Sequence, residues 1–184
     1  KHEVIFVDGG SKDKTLDILE ELSYFGYSYH VSVRKGRANQ MNFGAEISRG
    51  DILWFIHAAS VLQKDVIQKV IDCPTEVGCL KIKFYPNSFP MRVNSIVSNM
   101  RASITNLAFG DQALFLSRQA FEKVGGYKDM PIMEDYRISE DLSANGYKIT
   151  VIDSSVTTST RRYKGHVKTT MWQMQKYQKM YRRG

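Results

Sequence analysis

Two adjacent carboxylates, Glu134 and Asp135, follow Pro131-Ile132-Met133 and open a stretch with helical spacing. A carboxylate so placed can take the proton from a hydroxyl as that oxygen attacks an electrophilic carbon. It also suits the positive end of a helix dipole, so a plain helix start is the competing reading. Upstream, Val7-Asp8-Gly9-Gly10-Ser11 closes a short apolar run with an acid and two glycines. The acid can accept hydrogen bonds from a base or ribose, and the glycines Gly9 and Gly10 let a ligand approach the backbone. A tight turn in which Asp8 caps the next helix explains the same residues. Arg34-Lys35-Gly36-Arg37-Ala38-Asn39 sets three cations beside a glycine at a helix start. Lys35 and Arg37 could hold phosphate there by charge and with backbone N–H groups, or form an exposed basic loop. Gly110-Asp111-Gln112 offers Asp111 and Gln112 to sugar hydroxyls, or forms a turn.

Other chemistries lose their support. There is no Gly-x-Gly-x-x-Gly and no Gly-x-x-x-x-Gly-Lys-Ser/Thr, which removes the main marks of dinucleotide and P-loop sites. The two cysteines, Cys73 and Cys79, make neither a disulfide framework nor a zinc site, and read as idle thiols in a reducing compartment.

Short apolar runs alternate with helical patterns and carry these residues. Strands are expected at residues 4–7, 29–33, 52–56, 78–85, 113–116 and 148–152. Helices are expected from Asp13 onward and at 39–48, 64–72, 91–107, 119–124, 134–144 and 168–182. The run 52–56 is continuously apolar and reads as buried on both sides. Alternation of this kind predicts an α/β fold with a mostly parallel, Rossmann-like sheet flanked by helices. Ligands of such sheets bind beyond the carboxyl ends of the strands, where Asp8, Arg34, His57, Asp111 and Glu134 fall. The 184 residues fit one domain: 1–107 as a nucleotide-binding half, 108–160 as an acceptor and catalytic half, and 161–184 as a basic helical segment.

The net charge of +7 is uneven. After Asp153 come Arg161, Arg162, Lys164, Lys168, Lys176, Lys179, Arg182 and Arg183 with no acid among them, whereas the first 153 residues carry 18 basic and 19 acidic side chains. Such asymmetry suggests an anionic partner or a solvated helix face. Met171, Met174 and Tyr177 recur at helical spacing in that segment. No run of 18 apolar residues crosses a membrane. The expected setting is cytoplasmic, with peripheral contact to the inner face of a membrane through the basic helix and no nucleic-acid partner.

Taken together, the motifs resemble family 2 glycosyltransferases of the GT-A fold. The resemblance rests on Val7-Asp8-Gly9-Gly10-Ser11-x-Asp13-x-Thr15 and on Gly36-Arg37-Ala38-x-Gln40-Met41-Asn42-x-Gly44-Ala45 with Gly50-Asp51-Ile52-Leu53. Gly110-Asp111-Gln112, Gly125-Gly126-Tyr127 and Ile132-Met133-Glu134-Asp135 then follow in the expected order. With Thr158-Ser159-x-Arg161-Arg162, the sequence is most similar to the bacterial transferase 2, radical-SAM/selenodomain-associated subfamily. The resemblance implies inverting transfer of a sugar from a nucleotide-diphosphate sugar to an acceptor. It implies that Asp8 contacts the donor base and Arg37 lines the donor pocket. Asp135 is the implied base with Glu134 in support, and Arg161 and Arg162 hold the diphosphate. It also implies a divalent metal, Mg²⁺ or Mn²⁺. Two departures stand out. The family's first strand has no counterpart before Lys1. Where the family carries His-Ala-Asp, this sequence reads His57-Ala58-Ala59, which leaves a methyl group in place of a metal-binding carboxylate and His57 as a weak candidate ligand. The alternative is a protein that binds a nucleotide sugar or another anion without turnover.

Overall fold

The computed structural model describes residues 2–163 and 167–181. In chain order the elements are β1 (Ile5–Asp8), α1 (Thr15–Ser23), β2 (Ser28–Val31), α2 (Arg37–Ile47), β3 (Ile52–Trp54), β4 (Ser60–Leu62) and α3 (Val66–Ile71). They continue with β5 (Val77–Tyr85), α4 (Phe89–Thr105), β6 (Phe115–Ser117), α5 (Arg118–Lys123), α6 (Glu134–Ala144), β7 (Thr150–Ser159) and α7 (Val167–Tyr181). Short 3-10 turns at Gly110–Gln112 and Thr160–Tyr163 complete the path. No helix among the described residues is long and apolar enough to cross a membrane.

Local chemistry sets several boundaries. Ser117 caps α5 by accepting from the Ala120 amide, as N-cap hydroxyls do. Asp13 accepts from the Thr15 amide and hydroxyl, so it serves the first turn of α1, although Lys14 occupies the cap position itself. Arg118 fastens the end of α2: its guanidinium donates to the carbonyl of Ala45 in the last turn and to those of Ser48 and Gly50 just beyond it.

The strands form two sheets. β1 and β2 pair in parallel, and the other five lie in the order β3-β6-β5-β7-β4. Within the larger sheet only β5 and β7 are parallel, so the expectation of a mostly parallel sheet is corrected to a mixed one. The reason lies between α4 and β6. α4 runs back along β5 for about 25 Å at 1.5 Å per residue. A left-handed residue, Asn106, then turns the chain, anchored to the Tyr147 carbonyl and the Ile149 amide. Residues 107–114 return toward the carboxyl ends of the strands, which cancels the helix's crossover and makes β6 enter antiparallel. The same insertion places β6 between β3 and β5, so the stretches 1–107 and 108–160 interleave in one sheet.

β3 is an edge strand, and this corrects a second expectation. Only Leu53 is enclosed, while Ile52 and Ile56 remain substantially exposed. The strongest burial lies in β5, β6 and α6, where Val77, Leu80, Leu116, Ile138 and Leu142 are sealed from solvent. Cys79 sits there too, and burial pushes its thiol up to about 12, so it stays neutral.

Candidate active site

The site is assembled where α2, α6, the end of β3 and the turn after α4 converge. Arg37 is the first residue of α2, behind Gly36 with φ 111°. Its Nε donates to Oε1 of Glu134 at 2.6 Å, and Nη2 also pairs with that oxygen. Glu134 is almost fully buried, and a buried carboxylate needs such a partner. Arg37 keeps 46% side-chain exposure, so the pair faces outward through the cation.

Asp135 is the next residue. Its Oδ2 accepts from the Gly110 amide at 2.8 Å and lies 3.7 Å from Arg37 Nη2. His57 is packed on the other side of the same turn: a Cβ added at Gly110 would meet His57 Nε2 at 2.9 Å and Asp135 Oδ2 at 3.4 Å. Glycine at 110 is therefore what allows imidazole and carboxylate to share one wall. Met133, directly before the two acids, has φ 70°, a left-handed conformation that is uncommon outside glycine. Held conformations of this kind gather at functional sites. Arg37, His57, Gly110, Glu134 and Asp135 thus line one recess, with Phe55 and Tyr127 as its apolar floor.

The floor is built by the Gly125-Gly126-Tyr127 motif. Asn42 of α2 exchanges two hydrogen bonds with the Tyr127 backbone, at 2.8 and 2.9 Å. Gly126 has φ 66°, and a Cβ there would meet Asn42 Oδ1 at 2.8 Å. Tyr127 then packs against Phe55 and Phe121, and burial pushes its phenol well up, so it is a neutral wall.

Asp8 ends β1 beside α2. It is buried, and Oδ2 accepts from the amides of Gly10 and Ser11 at 2.6 and 2.8 Å. The Ser11 hydroxyl and these amides hold its carboxyl below the usual carboxylate range. Gln40 of α2 donates to the Val7 carbonyl, and its amide fills the space over Gly9. This loop and the N-terminus of α2 therefore stand side by side. Gly10 and Lys35 are exposed next to them.

One expected residue takes another place. Gln112 is fully buried; its Oε1 accepts from Arg101 and from the Phe109 amide. It shapes the 107–114 return rather than offering a free amide to a sugar, because its Nε2 also donates, to Cys79 Sγ. Asp111 is half-buried next to it, and its charge favours the desolvated Arg101 guanidinium. Arg161 is exposed in the 3-10 turn after β7, and its amide is held by Ser159. The side chain of Arg162 lies outside the described residues, as do those of Met171 and Met174; Lys164, Arg182 and Arg183 lie wholly outside them. Sequence reading missed Arg101 and Arg118 because an arginine bonded to carbonyls leaves no motif.

The residues present do not fit a resident divalent metal. Among the described residues no three His, Cys, Asp or Glu side chains gather to hold one. Ala59 lies exposed in the turn after His57 with only a methyl group to offer, and Arg37 already supplies the positive charge facing Glu134 and Asp135.

Comparisons with known proteins agree with this layout. Residues 1–73 match the family model described as Glycosyl transferase family 2. No curated protein sequence matches the chain. A mannosyltransferase from Pyrobaculum calidifontis, solved with GDP-Man and Mn²⁺, superposes with a TM-score of 0.68 at 17% identity over 89% of this chain and 49% of its own. GalNAc-T7, solved with UDP, GalNAc and Mn²⁺, superposes at 0.63 with 13% identity over 85% of this chain and 37% of its own. The chain therefore spans half or less of the length of these two. By its architecture it has the GT-A glycosyltransferase fold, and its first 73 residues carry the sequence pattern of glycosyltransferase family 2.

Proposed function

We propose that this chain moves a glycosyl group from a nucleotide-diphosphate sugar onto an acceptor hydroxyl in one inverting displacement. The acceptor oxygen bonds to the anomeric carbon as the bond from that carbon to the diphosphate breaks. The acceptor's proton passes to Asp135, and the nucleoside diphosphate leaves as an anion. The observation that carries this reading is the setting of Asp135. Its carboxylate is held by the Gly110 and Tyr136 amides, partly exposed and close to a cation, in a chain whose first 73 residues match the family.

Glu134 supports the base by fixing Arg37, so the guanidinium has a defined place on the donor side. Asp8 with Gly9 and Gly10 would receive the base and ribose, while Lys35, Arg37, Arg161 and Arg162 would meet the diphosphate. Preorganised cations stabilise charge that develops on a leaving group. Asp111 is the remaining polar residue toward the acceptor. The cations of α7 would hold the protein near an anionic membrane. The two similar structures were solved with Mn²⁺; in this chain Arg37 is the cation beside Glu134 and Asp135.

Calorimetric titration with a panel of nucleoside diphosphates and their sugars tests the donor site, and Asp135→Asn tests the base. The variant should bind donor as the parent does and turn over roughly 10²–10⁴-fold more slowly. Activity within a few-fold of the parent removes Asp135 from the role; binding to no nucleotide removes the reading altogether. Binding without turnover in the parent would favour the second reading, a nucleotide-sugar binder, to which the methyl of Ala59 points.

A further inference from the structure

α4 wears its apolar face outward. Met91, Ser95, Ser98, Asn99 and Ala102 turn inward, with Met91 and Ala102 sealed, Met91 packed on Ile82 and Phe84, and Asn99 bonded to both backbone groups of Ile82. On the opposite side stand Phe89, Val93, Ile96, Val97, Met100 and Ile104, every one of them between 44% and 78% exposed. At about 100° per residue these six fall within an arc of about 100°, a continuous stripe roughly 22 Å long. No charge interrupts it; Arg92 borders it on one side, and Arg101 turns away to lie 3.6 Å over the Phe109 ring. A soluble surface helix shows the reverse pattern, and a contiguous exposed apolar patch marks an interaction surface.

The charge around the stripe selects the partner. All 19 acids of the chain lie in residues 1–76 and 111–153, so neither α4 nor α7 contains one, while the two helices expose Arg92, Lys176 and Lys179. Contacts near their ends relate these two helices. Thr160, just before α7, bonds the Tyr85 carbonyl near the start of α4. At the far end Tyr181 of α7 joins Leu107, Phe109 and Tyr136, immediately past the end of α4. Exposed Trp172, Tyr177 and Met180 lie on α7 with Lys176 and Lys179, and Lys176 stands over the Trp172 ring. An apolar stripe bordered by Arg92, on a helix without carboxylates and beside a second basic helix, is the pattern of a surface lying in the headgroup region of an anionic bilayer. The same charge opposes a second copy, since two such faces would bring like charges together.

We propose that the outer face of α4 is the membrane-inserting surface of this protein, with α7 as its electrostatic flank, so that the protein docks on an anionic lipid bilayer through α4. This does not depend on the transferase reading, because none of the six residues lines the candidate active site. Co-sedimentation with vesicles of phosphatidylcholine alone, and of phosphatidylcholine with phosphatidylglycerol, tests it. The protein should bind the anionic vesicles and weaken as salt rises. Val93→Ser with Met100→Ser leaves charge and fold intact and should lower partitioning roughly tenfold or more, by loss of apolar area. Lys176→Gln with Lys179→Gln should reduce the salt dependence instead. Unchanged binding of the serine variant, at an unchanged thermal midpoint, would overturn the proposal. So would self-association without lipid that the serine variant abolishes, which would make the stripe a contact between copies.

Discussion

The five-stranded sheet and the β1–α1–β2 unit meet the same need for burial to very different degrees. In the larger sheet Val77, Leu80, Leu116 and Ile138 are enclosed completely. Across residues 2–33 only Asp8, Leu19 and Ser32 are buried, while Tyr24, Phe25 and Val33 are open to solvent. The larger unit is fixed by apolar packing and the smaller one by a polar turn around Asp8. The candidate site draws on both: His57, Glu134 and Asp135 stand on the packed unit, and Asp8 with its glycines on the other. Local stability differs in the same sense wherever burial does, so the chemical groups are held stiffly while the donor-side loop can yield.

The sharpest way to break this comparison is to remove one large side chain from each unit. Ile138→Ala should cost about 2–5 kcal/mol in urea unfolding, since its neighbours cannot collapse into the space. Leu19→Ala should cost about 2 kcal/mol or less, because its surroundings are already open to solvent. Equal costs would mean that the small unit has a core of its own.

The joint between the units comes next. α2 contacts β1 on one side and is pinned to the larger unit by the Asn42–Tyr127 exchange. Gly126→Ala forces a left-handed alanine, at roughly 1–2 kcal/mol, and drives its methyl into Asn42. We expect a loss of about 1–3 kcal/mol with both hydrogen bonds weakened, read as a lower thermal midpoint and weaker donor binding together. A fall in the midpoint with donor affinity unchanged would show that the joint does not align the site.

Much of this layout was legible in the sequence, for physical reasons that can be named. Gly10, Gly36 and Gly125-Gly126 marked turns, and each takes a positive φ there; the α-helices were legible too, most from helical spacing and α2 from its run of small residues. β4 escaped because Ser60–Leu62 is a three-residue edge strand without an alternating pattern. The antiparallel entry of β6 escaped because residues 107–114 read as an ordinary connection; only their length and path cancel the crossover. In α4 the apolar stripe looks like the core-facing side, and packing alone reveals that it faces out. At the site, Arg37, Glu134 and Asp135 were visible as separate motifs. Their ion pairing and the closeness of His57 to Gly110 depend on contacts 53 to 98 residues apart, and no local pattern encodes them.

The smallest effect concerns acid. The amides and hydroxyl around Asp8 hold its folded pKa below the ordinary value. A group depressed on folding contributes stability that is fully present above its unfolded pKa and is lost as pH falls through the folded one. That contribution should therefore fade below about pH 4. Asp13, on the same turn, is shifted in the same direction by Thr15 but is exposed, so it adds little. Because Ser32 donates its amide to the Asp8 carbonyl, the loss should spread from the turn into β2. Hydrogen exchange, corrected for the intrinsic effect of pH, should show β1 and β2 losing protection in this window while β5 keeps its own. Asp8→Asn should flatten the response, since an amide does not titrate. Parallel loss in β5 would mean that the two units open together, and the contrast drawn between them would not survive.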